Sequence, residues 1–566
     1  MNPRAPAPAL ALSAVLWLAA CLSADPAAEA PAPDVAALDS GEPTAPEPPA
    51  PEPVLLEGAA LLRRVSLDLR GVLPTVAEVE RVEADPAAFE VLVTEFLADA
   101  RFEDQVSAVL AERWLTRPDE FTLQPADFGS SEEERFAVNR SIGQEAPRLA
   151  AWIAAEDRSW DEVATSEFTR VDALLLANWP VEAVDEKVSA RGWRTARYTD
   201  GRPANGVLST NGLWQRYSTS PSNLGRNRAA AVSRLFLCAD FLTRPVTFSS
   251  SAFKDSDPET SARALPECVS CHASLDPLAS ALFGYWWFDR YEENELIHYH
   301  AEREGMGEWY LGVSPAWFGE PMDDAAQLGE FLVTDPRFGR CATETFAEIL
   351  WRREVGLEDF DTISTLWERF DAAGRSPHAL LRGILDTPAY RVGAVAGEVP
   401  PGEEAEWGTR RLLSASQLAS VVEDLTGFLW TWEGYEQLDN DVIGFRVMAG
   451  GVDSETVTRP LQVPSVATLL VIRRLAEAGA DTLVQRDLRG GAHELLTVGS
   501  GDVPGSAAFE AQLVTLYMRI FARIPTEEES TADGEFWSAV AEESGGEEAW
   551  VALVATLLRD PEFWSY

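Results

Sequence analysis

The residues with the clearest chemical purpose are Cys268, Cys271 and His272, which form a CxxCH motif. Two thiolates at this spacing can add to the two vinyl groups of haem, and the adjacent histidine then lies beside the iron as its proximal ligand. Only five cysteines occur in the chain, so a chance CxxCH is less expected than in a cysteine-rich sequence. Apolar residues follow the motif, including Leu275 and Leu278, and suit a haem cleft. We therefore expect covalently bound haem c.

Two other uses of the motif remain open. Cys268 and Cys271 can form a CxxC disulfide beside a surface histidine, or they can contribute to a zinc site. The zinc interpretation is incomplete, because no second CxxC and no nearby HxxxH supplies the rest of a tetrahedral ligand set.

A haem that transfers electrons usually has a second protein ligand, histidine or methionine. The downstream candidates are His298, His300, Met306 and Met322. The two histidines alternate and would share one face of a strand, although a solvated edge among glutamates explains them equally simply. A methionine here can instead be a packing residue. We expect Met322 or His300 as the distal ligand; an iron without one would favour peroxide or gas chemistry.

The elements that position these residues are predicted to be helices. Ser414 and Gln417 form a capping box that precedes apolar residues on one helical face, and Gly427 is suited to end that helix. Residues 229–242 also show helical spacing. Residues 284–320 mix glycines, aromatic residues and charges, which predicts loops and short strands rather than helix. The expected fold class is a mainly α, multi-helical body with few short strands.

A weak internal repeat runs through this body. Residues 63–102 and 517–563 each contain a Thr-x-x-Glu capping box just after a proline, and each ends in Asp-x-x-Phe. A looser copy at 351–390 has Gly356 in place of the proline. The unit predicts a helical-hairpin module, although helical proteins also reuse such turns without any repeat.

The first residues indicate where in the cell the protein is sent. Arg4 precedes an apolar stretch at 9–20 that is too short to span a bilayer, which needs about 20 residues, but suits a signal-peptide core. The stretch ends in LAAC, which resembles the bacterial lipoprotein cleavage box and implies cleavage before Cys21 and acylation of that cysteine. An ordinary signal peptide, cut after a small residue, is the alternative. Leu22 follows rather than aspartate, which favours outer-membrane sorting.

Composition excludes some classes of function. The 566 residues include 92 acidic and 46 basic side chains, a formal net charge of −46, which argues against nucleic-acid binding through a basic face. No later segment offers 18 uninterrupted apolar residues, so no transmembrane helix is expected. Residues 22–53 contain nine prolines and no aromatic residue, which predicts a disordered tether.

Together these motifs resemble a large family of secreted planctomycete and myxobacterial proteins, built from domains of unknown function around a cytochrome-c-like CxxCH segment. Residues 64–75 are similar to its R-x-x-LDLxGxxPT element, 145–160 to its helix ending in EDRS, 206–209 to its GxLT, and 268–277 to its CxxCHxxxDP. Ala279 stands where the family usually has glycine, and the usual glutamate after it is missing. The resemblance implies a cytochrome-like domain and assigns no reaction.

The same family tends to carry cysteines at the positions of Cys238 and Cys341, before and after its haem segment. In an oxidising compartment such a remaining pair is expected to form a disulfide; two buried free thiols are the alternative.

The chain therefore divides into a signal peptide (1–20), a tether (21–53), an N-terminal helical domain (54–205), a cytochrome-c-like domain with a helical C-terminal module (206–392), a linker (393–408) and a C-terminal helical domain (409–566). We expect a lipid-anchored, c-type cytochrome-like protein of the cell envelope, at the periplasmic face or the outer membrane, that passes electrons to a partner protein. Whether it is also an enzyme stays open. The alternatives are a haem-dependent oxidative or polymer-degrading enzyme, and a non-catalytic surface-binding lipoprotein with a structural CxxC disulfide.

Overall fold

The structure is a computed structural model that describes residues 52–118, 121, 123, 131, 134–246, 263–285, 297–397, 410–439, 443–499 and 501–566. The predicted signal peptide, the lipidation residue Cys21 and most of the tether and linker lie outside these residues. All described residues belong to one compact unit.

Helices dominate the described residues, as the sequence predicts. The N-terminal helices are α1 (Gly58–Arg70), α2 (Val76–Ala84), α3 (Ala88–Leu97), α4 (Ala100–Arg113), α5 (Arg135–Ala155), α6 (Glu162–Thr165) and α7 (Ala173–Asn178). The middle of the chain forms α8 (Asn211–Arg216), α9 (Arg226–Leu237), α10 (Pro266–Ser280), α11 (Met306–Leu311), α12 (Leu328–Thr334), α13 (Pro336–Trp351), α14 (Phe360–Ala372), α15 (Pro377–Leu385) and α16 (Pro388–Arg391). The C-terminal helices are α17 (Ala415–Thr426), α18 (Phe445–Met448), α19 (Val466–Val484), α20 (Ala507–Phe521), α21 (Glu527–Ser544), α22 (Gly546–Leu557) and α23 (Pro561–Trp564).

The strands of the described residues are few and short, as expected. They are β1 (Glu52–Leu55), β2 (Thr169–Val171), β3 (Val181–Ala183), β4 (Arg194–Tyr198), β5 (Ala316–Trp317), β6 (Glu320–Pro321), β7 (Val392–Ala396), β8 (Thr431–Trp432) and β9 (Tyr435–Glu436). All pairs are antiparallel: β1 with β7, β4 between β2 and β3, β5 with β6, and β8 with β9.

Two local predictions need correction. The end of the predicted tether and the start of the predicted linker form two paired strands. Pro53 lies opposite Val395 and Val54 opposite Ala394 in the β1–β7 ladder. Backbone pairing of this kind satisfies groups that a disordered segment leaves to water. Residues 284–320 contain the short strands β5 and β6, but also the helix α11, which places the buried side chain of Leu311 in the core.

The internal repeat appears as three modules with one local design. α1, α13 and α20 each end at a left-handed residue, respectively Gly71, Arg352 and Ala522. A capped helical turn then begins, at α2 and α21 with a Thr-x-x-Glu box and before α14 with Gly356 and Asp359. In all three modules an arginine at the turn pairs with the acid of that cap: Arg70 with Glu78 at 2.9 Å, Arg353 with Asp359 at 2.6 Å, and Arg523 with Glu529 at 2.7 Å.

Two main apolar cores hold the helices together, beside a minor cluster of nine buried residues that includes Val138, Ile142 and Trp179. The larger runs through buried residues from Ala59 to Tyr390, and the smaller through those from Leu413 to Trp564 together with Leu67 of α1. Trp160 and Leu208 share the larger core, so no change of core marks the domain boundary expected at 205/206. Among the described helices, none has both the length and the apolar character that crossing a membrane requires.

Candidate functional site

The CxxCH motif lies in the first half of α10. Pro266 occupies the first turn of this helix, where its missing N–H is no loss, and Glu267 places a negative charge near the helix N-terminus. Residues three and four apart share a helical face. Cys268, Cys271 and His272 therefore lie along one face of α10.

Both cysteines of the motif are free thiols and partly exposed. The Cys271 side chain also packs against the larger core. The structure therefore does not contain the alternative CxxC disulfide. Within the described part of the chain, no cluster of three or more histidine, cysteine, aspartate or glutamate residues could hold a metal ion, so the zinc alternative gains no further ligands there.

His272 is held by a buried carboxylate. Its Nδ1 lies 2.9 Å from Oδ1 of Asp276, one turn later on α10. Arg226, the first residue of α9, clamps Asp276 with its Nε at 2.7 Å and its Nη2 at 3.0 Å. Burial raises the pKa of Asp276, but the hydrogen bonds from His272 and Arg226 outweigh it and lower that pKa below its ordinary value. The carboxylate therefore stays ionised at neutral pH.

This contact sets the chemistry of the imidazole. A carboxylate at Nδ1 favours the tautomer with its proton on Nδ1, so Nε2 keeps the lone pair that binds a metal. Metal-bound histidines are commonly oriented through their other ring nitrogen in this way. Two accessible thiols on the same helical face as such an imidazole are the donor set that haem c requires, so Cys268, Cys271 and His272 fit it.

The candidate distal ligands differ in their local surroundings. Met322 is buried in the larger core, and its amide donates to the carbonyl of Pro315. The His300 amide donates to the carbonyl of Gly284, and its Nδ1 is 3.2 Å from Glu302.

Met306 begins α11, and the next residue, Gly307, packs directly against Ser280 at the end of α10. Ser280 is eight residues after His272, about 12 Å along the helix. His298 lies just before His300, on the same short stretch of described chain. Distal ligation by Met322 or His300 stays a prediction.

The disulfide predicted between Cys238 and Cys341 is confirmed. Cys238 follows the last residue of α9, and Cys341 lies in the first half of α13, with the two Cα atoms 5.2 Å apart. The bond closes a sequence separation of 103 residues that contains α10 and its CxxCH motif.

Sequence reasoning missed the partners of His272. The spacing of His272 and Asp276, four residues apart, was a usable signal, since such pairs meet on a helix. Arg226 gave no signal, because it lies 50 residues from Asp276 and reaches it only through the packing of α9 on α10.

Comparison with known proteins adds no relative: no protein-family model matches the chain, and no curated protein and no solved structure matches it. The resemblance to planctomycete and myxobacterial secreted proteins therefore stays a hypothesis that rests on the motifs alone.

Proposed function

We propose that this protein is a c-type cytochrome-like electron carrier of the cell envelope, anchored by a lipid on Cys21. One observation carries the proposal: the three residues of the CxxCH motif share a face of α10, and a buried carboxylate orients the histidine. Cys268 and Cys271 would hold haem c through thioether bonds, with His272 as the proximal ligand. When bound, haem c supplies one-electron redox chemistry.

The chain's own residues then determine the character of the proximal ligand. Asp276 accepts the Nδ1 proton of His272 in a hydrogen bond, which fixes the ring and makes its Nε2 more electron-rich. Arg226 holds Asp276 in place and ionised. We propose Met322 or His300 as the second ligand.

The charge of the chain supports a role as a carrier. A net charge of −46 favours rapid encounter with a basic redox partner through electrostatic steering, and it disfavours nucleic acid. With acylation at Cys21 and residues 22–51 as a tether, the body would stay near the periplasmic face or the outer membrane. Cys21→Ala is expected to release the protein from the membrane fraction, because the lipid provides the affinity that the tether lacks. An unmodified N-terminus elsewhere, found by mass spectrometry of the mature protein, would contradict the anchor.

The deciding experiment is expression of the full chain with a cytochrome-c maturation system, followed by a pyridine-haemochrome spectrum. We expect a covalent haem signal in the wild type, and none after Cys268→Ser with Cys271→Ser. Ser270→Ala, between the two cysteines, is the matched control and should retain the signal. A low-spin ferric spectrum supports electron transfer, because it reports two strong protein ligands.

Other outcomes separate the alternatives. A high-spin spectrum that readily takes up carbon monoxide overturns the electron carrier in favour of a haem-dependent enzyme. No haem in a host that matures other c-type cytochromes overturns both, and leaves a surface-binding lipoprotein.

A further inference from the structure

A cavity of about 640 Å³ lies among α4, α5, α17 and the β8–β9 hairpin. Its described walls do not include the CxxCH motif. The volume is in the range of sites that enclose small organic molecules.

The walls concentrate positive charge in a strongly acidic protein. Six arginines line the cavity: Arg70, Arg101, Arg117, Arg140, Arg148 and Arg191. Guanidinium groups repel one another, so their convergence in one cavity requires either internal carboxylates or a ligand to balance them.

The internal carboxylates balance only part of this charge, because Asp104 and Asp439 each pair with two arginines. Asp104 lies 2.5 Å from Arg148 and 3.3 Å from Arg191, and Asp439 lies 2.7 Å from Arg140 and 3.5 Å from Arg117. One aspartate neutralises one of its two arginines. Each of these two groups therefore leaves about one positive charge, and both groups line the same cavity. The other two arginines have a carboxylate each: Arg70 pairs with Glu78 at 2.9 Å and Arg101 with Asp99 at 2.8 Å.

The remaining carboxyls of the wall compensate this excess weakly. Asp424 is shared between Arg101 of the wall, at 3.4 Å, and Arg519, which does not line the cavity. Burial and the charge of Asp439 raise the pKa of Glu436 to about 7, so this group is about half neutral at neutral pH. Glu423 is the other carboxylate of the wall. Burial raises the pKa of Asp439, but the charges of Arg140, Arg117, Arg148 and Arg446 together lower it well below its ordinary value, so this carboxylate stays ionised.

Buried donors in the same wall also lack acceptors. Arg70, Gln105 and Arg117 are each less than a tenth exposed. The Nε atoms of both arginines, Nη1 of Arg117 and the amide nitrogen Nε2 of Gln105 have no hydrogen-bond partner among the described residues. An unpaired buried donor costs about 1–3 kcal/mol, so the fold spends stability to hold these side chains in the wall. Nη1 of Arg117 keeps its ion pair with Asp439 at 3.5 Å.

We propose that this cavity binds a small organic polyanion, a molecule with two or three carboxylate or phosphate groups. The Arg148–Arg191 pair and the Arg117–Arg140 pair would each receive one oxyanion, since the planar guanidinium matches both groups with paired hydrogen bonds. The ring of Tyr435, also in the wall, would contact the carbon skeleton.

The test is calorimetric titration of the full chain at constant ionic strength, with two probes. Citrate carries three carboxylates and fructose 1,6-bisphosphate carries two phosphates; acetate and chloride are the singly charged controls. We expect at least one probe to bind in the micromolar to low millimolar range. The probe that binds more tightly shows whether the site prefers carboxylate or phosphate groups. If neither probe binds better than chloride, the proposal is overturned.

Variants locate the binding. Arg140→Gln and Arg191→Gln should each weaken binding of the preferred probe at least tenfold, because each removes one charge from a pair that faces the cavity. Arg197→Gln is the matched control: its side chain is 44% exposed, against 40% for Arg140, and it pairs with Glu167 outside the cavity. Thermal unfolding checks that each variant folds; should Arg140→Gln fail, Arg191→Gln decides. If a folded cavity variant binds the preferred probe with wild-type affinity, the proposed site is contradicted. This outcome has the same meaning with or without attached haem.

Discussion

At the scale of single residues, the most consequential contact is the one between Asp276 and His272. Asp276 is buried, ionised and clamped by Arg226, so it imposes a fixed tautomer on an imidazole at the end of an otherwise mobile side chain. The negative charge beside Nδ1 stabilises positive charge on the ring and on any metal bound to Nε2.

We therefore predict that Asp276→Asn raises the reduction potential of the haem-loaded protein. Losing the carboxylate destabilises the oxidised state relative to the reduced state. Each tenfold change in that equilibrium raises the reduction potential by about 59 mV. Redox titration followed in the visible spectrum measures the shift. Asp560→Asn, which changes the cap of α23 in the smaller core, is the control and should leave the potential unchanged. An unchanged potential in Asp276→Asn would show that the carboxylate does not act on the metal ligand.

A second prediction concerns Glu436. Its pKa is raised by burial and by Asp439 from the ordinary 4.5 to about 7. A carboxyl whose pKa is raised on folding stabilises the fold fully below its unfolded pKa, and that contribution is lost as the pH rises through the folded pKa. The free energy of unfolding should thus fall between about pH 4.5 and 7 by about 1–2 kcal/mol, after allowance for partial exposure.

Urea unfolding at pH 5 and pH 8 measures this loss. Glu436→Gln should remove most of it, because the amide does not titrate. The exposed neighbour Glu433→Gln serves as the control and should keep the wild-type difference. The same slope in Glu436→Gln and wild type would assign the pH dependence to other groups.

At the scale of elements, the disulfide joins α9 to α13 around the segment that carries the CxxCH motif. α9 also supplies Arg226, so the bond fixes the far end of the helix that clamps Asp276. A cross-link of this kind restricts the unfolded chain more than the folded one.

Replacing both Cys238 and Cys341 with serine should lower the free energy of unfolding by about 2–4 kcal/mol, measured in urea. Reducing the wild type should give a similar loss. The same reductant should leave the double variant unchanged, since Cys268 and Cys271 are free thiols. A wild type that is indifferent to reduction would show that the bond adds no stability.

The sequence predicts the ends of helices better than it predicts which elements pack together. The boxes at Thr75, Ser414 and Thr526 are present as predicted, and Gly427 ends α17, because these signals need only neighbouring residues. The pairing of β1 with β7 joins residues some 340 positions apart, so no local pattern could indicate it. The arginine-lined cavity arises where α4 and α5 meet α17, and its members are ordinary surface arginines in the sequence. Long-range packing alone brings such groups together.

At the scale of the whole molecule, α1 links the two cores. Its Leu67 packs in the smaller core, while Val65 and Leu69 pack in the larger one. Between them lies Asp68, whose side chain is 1% exposed. Asp68 accepts hydrogen bonds from the hydroxyls of Tyr566 at 2.6 Å and Tyr390 at 3.0 Å.

The fully buried Arg411 completes this junction. Its Nη1 lies 3.3 Å from Asp68, and its Nη2 donates to the carbonyl of Tyr390. Tyr390 belongs to the larger core, whereas Arg411 precedes α17 of the smaller one. The two cores are therefore joined by a buried polar group as well as by apolar contact, and folding of one should depend on the other.

Asp68→Asn tests this dependence. Removing the charge leaves Arg411 buried without its counter-ion, which should lower the free energy of unfolding by about 3–5 kcal/mol. Tyr566→Phe is the milder comparison: it removes one hydroxyl from Asp68 and should cost about 1 kcal/mol. Urea unfolding followed by tryptophan fluorescence and by circular dichroism reports both quantities. If Asp68 couples the cores, the two signals coincide in the wild type and separate in Asp68→Asn, because the smaller core then unfolds first. Coincident transitions in Asp68→Asn, with little loss of stability, would show that the apolar contacts of α1 suffice to join the two cores.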